Sequence, residues 1–457
     1  MPMNSRWFVV ALATLALLAA PMSAAREPPG AVAPNAAARH GSIDCEWSAE
    51  IARDWVRSPV QMDIHAGYRI FVFRTDGTIG YRLRGEFPYA AFLSFTIYDD
   101  TLLYAALTDH QMKPDPGSVN PFDQDEFVHA RDRSYTVTVL PDGAVPGGSP
   151  RNPMFMPPLP SGTTQKTVVL AQRIYLAEPK VDDRFGGVDA PTIEPFVVST
   201  GKPAACPRGD FKAVVDQFGR VGGNFSQSPL PRNGKIEFYR PPATMVPFAD
   251  GGSKLTETDC TSYLMATVYP DQLAVVNVPT LPDFFDNTHI KKRTRFDVTE
   301  VRYVSIGSYG ATPLGEREDE NIAGPDIETV DGGATFVAVP IRILRFHPEE
   351  AKKLRKTVDK LGYNLLPLGE YGPLFPLDVK GPWINPFLIY RNKVPAPGFP
   401  GSIQNVLCYD GTDFGSASSD YAASYGNMHE YAPTGVECSV ADFLYAGCGH
   451  EFSRRRP

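Results

Sequence analysis

The residues best suited to chemistry lie in one stretch of the sequence, Tyr81 to Phe122, which combines strand, turn and carboxylate patterns. Its polar residues are Asp99, Asp100, Asp109, His110, Asp115 and Asn120. Carboxylates on loops at one end of a β-sandwich can bind Ca²⁺, which takes about six to eight oxygen ligands, or act as an acid and base pair on a sugar. We therefore treat Asp99, Asp109 and Asp115 as candidate catalytic residues, and His110 and Asn120 as candidate ligand-binding residues.

The same stretch also has a purely structural interpretation. The sequence Pro114-Asp115-Pro116-Gly117 is typical of a turn that Asp and Gly stabilise without any ligand. Under this interpretation, replacing Asp109 with Asn changes stability and leaves binding untouched.

Two other polar groups are candidate ligand-binding residues. Arg82 and Arg84 lie two apart on a predicted strand, so they share a face and can grip a carboxylate or sulfate. Asp182 and Asp183 belong to a second acidic loop. Ordinary ion pairing at the surface or between domains is the favoured explanation for both patterns.

The sequence contains no motif that identifies a reaction. It has no G-x-S-x-G, H-E-x-x-H, H-x-H or Walker sequence, and its eight histidines are scattered. These absences argue against an α/β-hydrolase, a zinc protease and a nucleotide-binding enzyme. No cofactor is predicted, and calcium is the one metal that the carboxylates suggest.

Strand patterns dominate the elements that must position these residues. Between Ala91 and Tyr98, Leu93, Phe95 and Ile97 alternate with more polar residues and form the predicted core face. Further strands are predicted at Ser134–Leu140, Thr167–Leu176, Lys235–Tyr239, Tyr263–Val268 and Leu273–Val278. A turn at Asp76-Gly77 predicts a hairpin between the strands on either side of it.

Helical patterns are few. Trp47, Ile51 and Trp55 recur at intervals of four and predict a helix from Cys45 to Arg57. Asp210 can cap a connector helix within Gly209–Asn224. A third helix, His347–Leu361, has Pro348 in its first turn and Gly362 at its end. Its basic side faces solvent or an acidic polymer.

Three short blocks recur in the same order and predict an internal duplication. Phe92–Phe95 matches Tyr303–Ile306 at an offset of 211, and Asp132–Val137 matches Asp331–Phe336 at 199. Ile174-Tyr175 matches Ile389-Tyr390 at 215. The predicted fold is all-β, with two jelly-roll-like β-sandwich halves and a few short helices. The halves span residues 61–205 and 236–457, joined by a connector, 206–235, and preceded by a flexible lead and helix, 26–60.

The first 25 residues have the layout of a cleaved signal peptide, with Arg6, an apolar run and Ser23-Ala24-Ala25. No later stretch is long and apolar enough to span a membrane. The chain is therefore expected in the periplasm or outside the cell, where its six cysteines would form disulfides. A helix between Cys438 and Cys448 would hold them about 15 Å apart, so one of them is predicted to bond to Cys408.

The charge excludes one class of partner. The formal net charge is −8, and it becomes −9 when residues 1–25 are removed with their single arginine. An acidic chain of this kind is not expected to bind nucleic acid.

Two segments, GEFPYAAFLSFTIYD followed by LTDHQMKPDPGSVNPF, resemble a sequence shared by a group of uncharacterised exported proteins of bacteria and fungi. The later segments VRYVSIGSYG and FLIYRNKVPAPGFPGSI resemble the second half of the same proteins. That group usually has Trp where this chain has Val304. The resemblance implies jelly-roll-like halves related to domains of unknown function, and it implies no activity or site residues.

Three functions follow from these patterns. The first is an exported protein that binds a small molecule, with saccharide as the class considered, in a groove of Tyr and Phe between the halves. The second is a hydrolase or lyase that acts on a polymer through the Asp99 to Asp115 carboxylates. The third is a structural or assembly role without a small ligand.

Overall fold

Alternating apolar residues form strands along most of the chain. The structure is a computed structural model, and it describes residues 45–51, 63–98, 103–123, 126–144, 149–178, 184–211, 214, 234–240, 263–285, 299–312, 317–373, 383–407 and 425–448. The strands are β1 (Ala49–Ile51), β2 (Ala66–Thr75), β3 (Ile79–Glu86), β4 (Ala90–Tyr98), β5 (Leu103–Thr108), β6 (Ser134–Leu140), β7 (Pro153–Phe155), β8 (Lys166–Ala177), β9 (Thr192–Val197), β10 (Lys235–Ile236), β11 (Tyr263–Thr267), β12 (Leu273–Val278), β13 (Val301–Ala311), β14 (Arg317–Ala323), β15 (Ala334–Pro340), β16 (Asn364–Leu368), β17 (Gly372–Pro373), β18 (Trp383–Ile384), β19 (Phe387–Pro395) and β20 (Thr434–Cys438). The helices are α1 (Ile341–Phe346), α2 (Pro348–Leu361) and α3 (Val440–Ala446). The prediction of an all-β fold with a few short helices is confirmed.

Four larger sheets carry the architecture. Their strand orders are β7-β6-β3-β9 in sheet I, β1-β2-β8-β4-β5 in sheet II, β11-β19-β13-β14 in sheet III and β10-β20-β12-β15-β16 in sheet IV. Within these sheets β6 pairs with β7 and β15 with β16 in parallel, while the other recorded strand pairs are antiparallel. Strands β17 and β18 form a separate two-stranded sheet.

Sheets I and II enclose the first core. Leu93, Phe95 and Ile97 of sheet II are fully buried in it, as their alternation predicts, and Leu83 and Val137 enter it from sheet I. Burying each such side chain contributes roughly 1.5–3 kcal/mol.

Sheets III and IV enclose the second core, to which Val304, Ile306 and Leu388 contribute from sheet III and Val276 and Phe336 from sheet IV. The helices cover the other face of sheet IV, where Leu354, Val358 and Phe443 pack against Val337 and Val339. Helix α2 ends at Gly362, whose φ of 66° is the left-handed cap that the sequence predicts. Its lysines and Arg355 remain exposed.

The two sandwiches repeat one strand connectivity. Strands β2-β8-β4-β5 of sheet II correspond in order to β11-β19-β13-β14 of sheet III, and β9-β3-β6-β7 correspond to β20-β12-β15-β16. Leu93 on β4 and Val304 on β13 therefore lie on equivalent strands, as the predicted duplication requires.

The pairing register corrects the third repeated block. Ser94 and Ser305, which match at the offset of 211, stand opposite Arg173 and Arg391 respectively. The equivalent of Arg173 is therefore Arg391, at an offset of 218, and the predicted match of Ile174-Tyr175 with Ile389-Tyr390 is wrong by three residues. The third block thus matches the equivalent strands, β8 and β19, but at the wrong offset.

Asn152, which immediately precedes β7, holds the loop before β6 in place. Nδ2 of Asn152 donates to the carbonyl oxygens of Lys113 (2.9 Å) and Thr136 (2.9 Å), and its Oδ1 accepts from the backbone N of Lys113 (2.7 Å). A side chain that holds three backbone groups fixes the loop against the sheet.

Asn364 makes the same three bonds in the second half. Its Nδ2 donates to the carbonyl oxygens of Glu328 (2.8 Å) and Thr335 (3.2 Å), and its Oδ1 accepts from the backbone N of Glu328 (2.8 Å). Thr136 and Thr335 differ by the predicted offset of 199, so the second repeated block is in register.

Asn152→Ala and Asn364→Ala should each lower the free energy of unfolding by about 1–3 kcal/mol, because each leaves buried backbone groups unpaired. The loss should be larger at Asn152, whose φ of 43° is a conformation that costs alanine roughly another 1–2 kcal/mol. Urea unfolding of both variants measures the difference. A larger loss at Asn364 would contradict the backbone argument.

The prediction of a helix at the start of the chain is wrong. Ala49–Ile51 form strand β1, paired with β2, instead of part of a helix. A spacing of four residues puts side chains on one side of a strand as well as on one side of a helix. The positions of Trp47 and Ile51 therefore do not distinguish a helix from a strand. Residues 52–62, which complete the predicted helix, lie outside the described residues.

The predicted hairpin is also wrong, because β2 lies in sheet II and β3 in sheet I. Asp76 does stabilise a turn, since its Oδ1 accepts from the backbone N of Thr78 at 2.9 Å. The turn carries the chain across the core to the opposite sheet. Strand β2 is already paired on both edges, with β1 and β8.

Two disulfides lie within the described part of the chain. Cys45 bonds to Cys206, which ties the segment before β1 to the chain after β9. Cys438 bonds to Cys448, contrary to the prediction for this pair. Helix α3 is only seven residues long, and Gly447 and Cys448 take positive φ after it, so the chain folds back toward Cys438. Cys260, Cys408 and most of the predicted connector helix lie outside the described residues.

Within the described ranges, no helix is long and apolar enough to cross a membrane.

Candidate functional site

The structure brings Asp109 into the body of the fold. It follows β5 in a short 3-10 helix, Asp109–Gln111, and its side chain is fully buried. Its Oδ2 accepts from the backbone N of Leu93 (2.8 Å), and its Oδ1 accepts from the backbone N of His110 (2.6 Å). Arg302 of β13 donates to the same Oδ1 through Nη1. Asp109 thus joins strand β4 to the second half.

His110 and Asn120 lie beside Asp109. Nδ2 of Asn120 donates to the carbonyl oxygens of Asp109 (2.8 Å) and Met112 (2.9 Å). His110 is exposed, with Nδ1 3.1 Å from the hydroxyl of Thr108. The amide of Asn120 is occupied by backbone atoms, so this group is arranged as a loop support.

Asp115 has different partners. Its Oδ2 accepts from the hydroxyl of Thr136 at 3.0 Å, and its Oδ1 lies 4.0 Å from Nε of Arg151. No recorded contact joins it to Asp109. The catalytic roles of Asp109 and Asp115 stay predictions, and Asp99 lies outside the described residues.

The arginine pair on β3 lies at the surface of sheet I. Nε of Arg84 is 3.2 Å from both carboxylate oxygens of Glu194, and the guanidinium of Arg82 lies 4.0 Å from the ring centre of Phe196. Asp182 and Asp183 are outside the described residues. Among the residues that are described, no group of three His, Cys, Asp or Glu side chains could hold a metal ion.

A second polar group lies where sheets II and III face each other. Phe92, Ser94 and Thr96 point away from the first core, yet they are buried. The rings of Tyr175 on β8 and Tyr303 on β13 meet across the sheets, with centroids 5.1 Å apart. We call the polar residues gathered here the inter-sheet cluster: Asp63, His65, Tyr68, Ser94, Arg173, Tyr175, Tyr263, Tyr303, Ser305, Asn321, Arg391 and Lys393.

Asp63 is the central carboxylate of the inter-sheet cluster, with 2% of its surface exposed. The hydroxyl of Tyr303 donates to its Oδ2, and Nδ2 of Asn321 donates to its Oδ1 at 2.5 Å. The backbone N of His65 also donates to Oδ1, at 3.0 Å. These donors come from both halves of the chain.

Arg391 is the cation nearest to Asp63 and is 4% exposed. Its Nη2 donates to the hydroxyl of Tyr309 at 2.7 Å, whereas its Nη1 lies 3.7 Å from Oδ2 of Asp63, beyond hydrogen-bond distance. Within the described part of the chain, Nη1 has no hydrogen-bond partner. One buried donor of Arg391 is therefore unsatisfied.

Two more cations complete the inter-sheet cluster. Nζ of the half-buried Lys393 lies 5.2 Å from the ring centre of Tyr175. The guanidinium of the half-buried Arg173 lies 5.4 Å from the ring centre of Tyr98, and its buried Nε lacks a hydrogen-bond partner among the described residues.

The electrostatic balance shifts several pKa values. Burial alone would raise the pKa of Asp63, but the charges of Arg391 and His65 and the hydrogen bonds from Tyr303 and Asn321 lower it overall. Burial would also raise the pKa of Tyr175, but the charges of Lys393 and Arg173 outweigh burial and lower it. Burial, reinforced by Arg173 and Arg391, lowers the pKa of Lys393. The described cluster is thus dominated by positive charge.

The inter-sheet cluster contains a duplicated row of side chains. Tyr68, Arg173 and Ser94 stand opposite one another on β2, β8 and β4. Tyr263, Arg391 and Ser305 do the same on β11, β19 and β13. Residues opposite one another in antiparallel strands share a face, so each facing sheet presents one Tyr-Arg-Ser row.

Sequence reasoning missed this cluster, although one signal was present. The third repeated block was aligned through Ile-Tyr pairs at an offset of 215. An alignment through Arg173 and Arg391 at 218 would have shown that the repeat preserves a charged residue on a strand. A charge preserved in both copies of a strand is a stronger sign of a site than an apolar pair.

Comparisons with known proteins leave the function open. No protein family matches the chain, and no curated protein matches it. An uncharacterised protein from Burkholderia cenocepacia is 14% identical with a TM-score of 0.42, and the match covers 86% of this chain and 82% of that one. A protein from Vibrio parahaemolyticus is 9% identical with a TM-score of 0.31, covering 74% and 86%. At these TM-scores neither similarity bears on function, and the resemblance to exported bacterial and fungal proteins stays a prediction.

Proposed function

We propose that the chain is a ligand-binding protein of the periplasm or extracellular space, and that it binds a small anionic molecule at the inter-sheet cluster. The observation that carries this proposal is that the guanidinium of Arg173 is unpaired among the described residues. Its guanidinium has no ion pair or hydrogen bond among the described residues, and its buried Nε lacks a partner. A buried donor on a cation is costly to leave unpaired, and an anion would satisfy it.

The charge count supports the same conclusion. Arg173, Arg391 and Lys393 meet one acidic side chain, Asp63, in the described cluster. A bound anion would offset the excess and would restore the pKa of Lys393 toward its ordinary value. The two disulfides fit a location outside the cytoplasm.

The surrounding rings favour a ligand with a flat or ring-shaped body. Tyr98, Tyr175 and Tyr263 border the cations; Tyr98 and Tyr263 are half-buried and Tyr175 is buried. An acidic saccharide combines an anionic group with a ring that packs on tyrosine. It is the ligand class that we propose to test first.

A lyase acting on an acidic polymer is the second candidate, and Tyr175 is the observation that favours it. Nζ of Lys393 lies 5.2 Å from the ring centre of Tyr175, and a tyrosine whose pKa neighbouring cations lower can serve as a base next to a carboxylate that the same cations hold. Incubation with uronate polymers, followed by assay for unsaturated products, tests this candidate. Absence of product with retained binding would leave the binding function alone.

Arg173→Gln should abolish stabilisation by the anionic ligand. In wild-type protein, a ligand at 100 times its Kd adds about 2.7 kcal/mol to the free energy of unfolding. Thermal unfolding with sugar acids, other organic carboxylates, phosphate, sulfate and neutral sugars measures this shift. Arg208→Gln is the matched control, because Arg208 is an exposed arginine that pairs with Glu46 at the surface. If the two variants respond to ligand alike, the cluster is not the site.

A further inference from the structure

We propose that Asp63 is a built-in carboxylate ligand that occupies the second-half copy of a duplicated carboxylate site, and that the first-half copy at Arg173 takes the carboxylate of an external molecule. This inference rests on the proposed function and deepens it, since it names the group that the anionic ligand carries.

Asp63 reaches sheet III as an outside ligand would. It belongs to the segment before β2, in the first half, and it lies 240 residues from Tyr303 and 258 from Asn321 along the chain. Its two oxygens are held separately: Oδ1 by Asn321 and His65, and Oδ2 by Tyr303 and the hydroxyl of Ser305 at 3.4 Å. Planar, two-oxygen recognition of this kind suits a carboxylate.

The duplicated rows show where the equivalent position lies. Arg391 and Ser305 of the second half correspond to Arg173 and Ser94 of the first. The carboxylate beside Arg391 is therefore matched by a position beside Arg173. In the sequence, the residue five before Tyr68 is Asp63, whereas the residue five before Tyr263 is Thr258, which lies outside the described residues.

The first-half copy is also more open. By the pairing register, Phe92 replaces Tyr303 and Ala106 replaces Asn321. Two donors that hold Asp63 are thus absent from the first half, and Ala106 is exposed where Asn321 is buried. A site with fewer donors and access to solvent would bind its carboxylate reversibly.

Chemical rescue tests the built-in ligand. Asp63→Ala removes the carboxylate and keeps Cβ, so formate is the probe that fits the space. Formate should raise the melting temperature of Asp63→Ala by several degrees more than sodium chloride of equal ionic strength does. In the wild type, formate and sodium chloride should have nearly the same effect on the melting temperature. A folded Asp63→Ala protein that responds equally to formate and chloride would overturn the inference.

A pair of surface variants tests the first-half copy without disturbing the core. Ala106→Asn supplies the amide that Asn321 provides in the second half, and should tighten binding of acetate by about fivefold, the effect of one hydrogen bond. Ala106→Asp introduces a side chain of the same shape as Asn but with a negative charge, and it should weaken the binding of acetate. This pair decides the question if Asp63→Ala does not fold.

The outcomes separate this inference from the proposed function. If neither Ala106 variant changes acetate binding while Arg173→Gln still abolishes anion binding, the carboxylate assignment fails and the anion site stands. If Arg173→Gln has no effect on any anion, the proposed function fails as well.

Discussion

Asp63→Asn should lower the free energy of unfolding at neutral pH by about 3–5 kcal/mol, the usual cost of breaking a buried ion pair by removing one partner. The guanidinium of Arg391 would keep its charge in a site with 4% exposure. The amide of Asn would also present a donor to the hydroxyl of Tyr303 or the amide of Asn321, both of which now donate to Asp63. Urea unfolding followed by tryptophan fluorescence measures the loss.

The same comparison has a predicted pH dependence. The pKa of Asp63 is lower in the folded protein than in the unfolded chain, so its contribution is fully present above the unfolded value of about 4. The contribution is lost as the pH falls through the lower, folded value. The difference between wild type and Asp63→Asn should therefore be constant from pH 5 to 7 and shrink below about pH 4.

Glu194→Gln provides the control for Asp63→Asn. Glu194 pairs with Arg84 at the surface, with side-chain exposures of 41% and 52%, so its removal should change the unfolding free energy by less than about 1 kcal/mol. Equal losses in the two variants would mean that the inter-sheet ion pair is no more important than a solvated one.

Asp109→Asn should also destabilise the protein, by roughly 2–4 kcal/mol, while leaving ligand binding at the inter-sheet cluster intact. Asp109 is fully buried and accepts from two backbone N–H groups and from Arg302. Asn offers one acceptor oxygen and turns an NH₂ group toward a donor, which leaves a hydrogen bond to a charged group unmade.

Asp115→Asn is the matched control, because the carboxylate of Asp115 is partly exposed and, among the described residues, accepts one side-chain hydrogen bond, from Thr136. Asp115→Asn should lower the free energy of unfolding by less than about 1 kcal/mol. If Asp109→Asn keeps its melting temperature and instead loses response to a ligand or to calcium, the loop carboxylates are the functional site, and Asp109 is catalytic or metal-binding as the sequence first suggested.

Local patterns predicted what local forces determine. The alternation of Leu93, Phe95 and Ile97 identified both the strand and its core face, since a period of two follows from strand geometry. The helix before Gly362 and its left-handed cap also follow from local features, namely Pro348 in the first turn and a glycine after the last one. Ser439 caps α3, and its hydroxyl accepts from the backbone N of Asp442 at 3.1 Å.

Long-range packing accounts for what the patterns missed. Phe92, Ser94 and Thr96 alternate with the core residues, and nothing near them in sequence says that a second sheet covers them. The turn at Asp76 shows that the chain reverses, but not which sheet receives the next strand. A helix running from Cys438 to Cys448 would keep the two cysteines too far apart to bond, but α3 covers only seven of the intervening residues.

The candidate site was missed for the same kind of reason. Asp63, Arg173 and Arg391 are more than 300 residues apart at their extremes, and a polar residue on a strand ordinarily indicates a solvent face. Only the repeat connects them in sequence, and it does so through a register that the pairing of strands determines.

The face-to-face packing of two equivalent sheets gives this chain a freedom that a symmetric dimer lacks. In a dimer of identical subunits, every mutation appears on both sides of the twofold axis, so two symmetry-related sites must change together. A fused pair can mutate each side separately. Here the position of Tyr175 in one half holds Lys393 in the other, and the carboxylate of Asp63 reaches only one of the two arginines. The two sides therefore share a backbone arrangement but differ in their side chains: a carboxylate of the chain itself lies beside Arg391, and no described carboxylate pairs with Arg173.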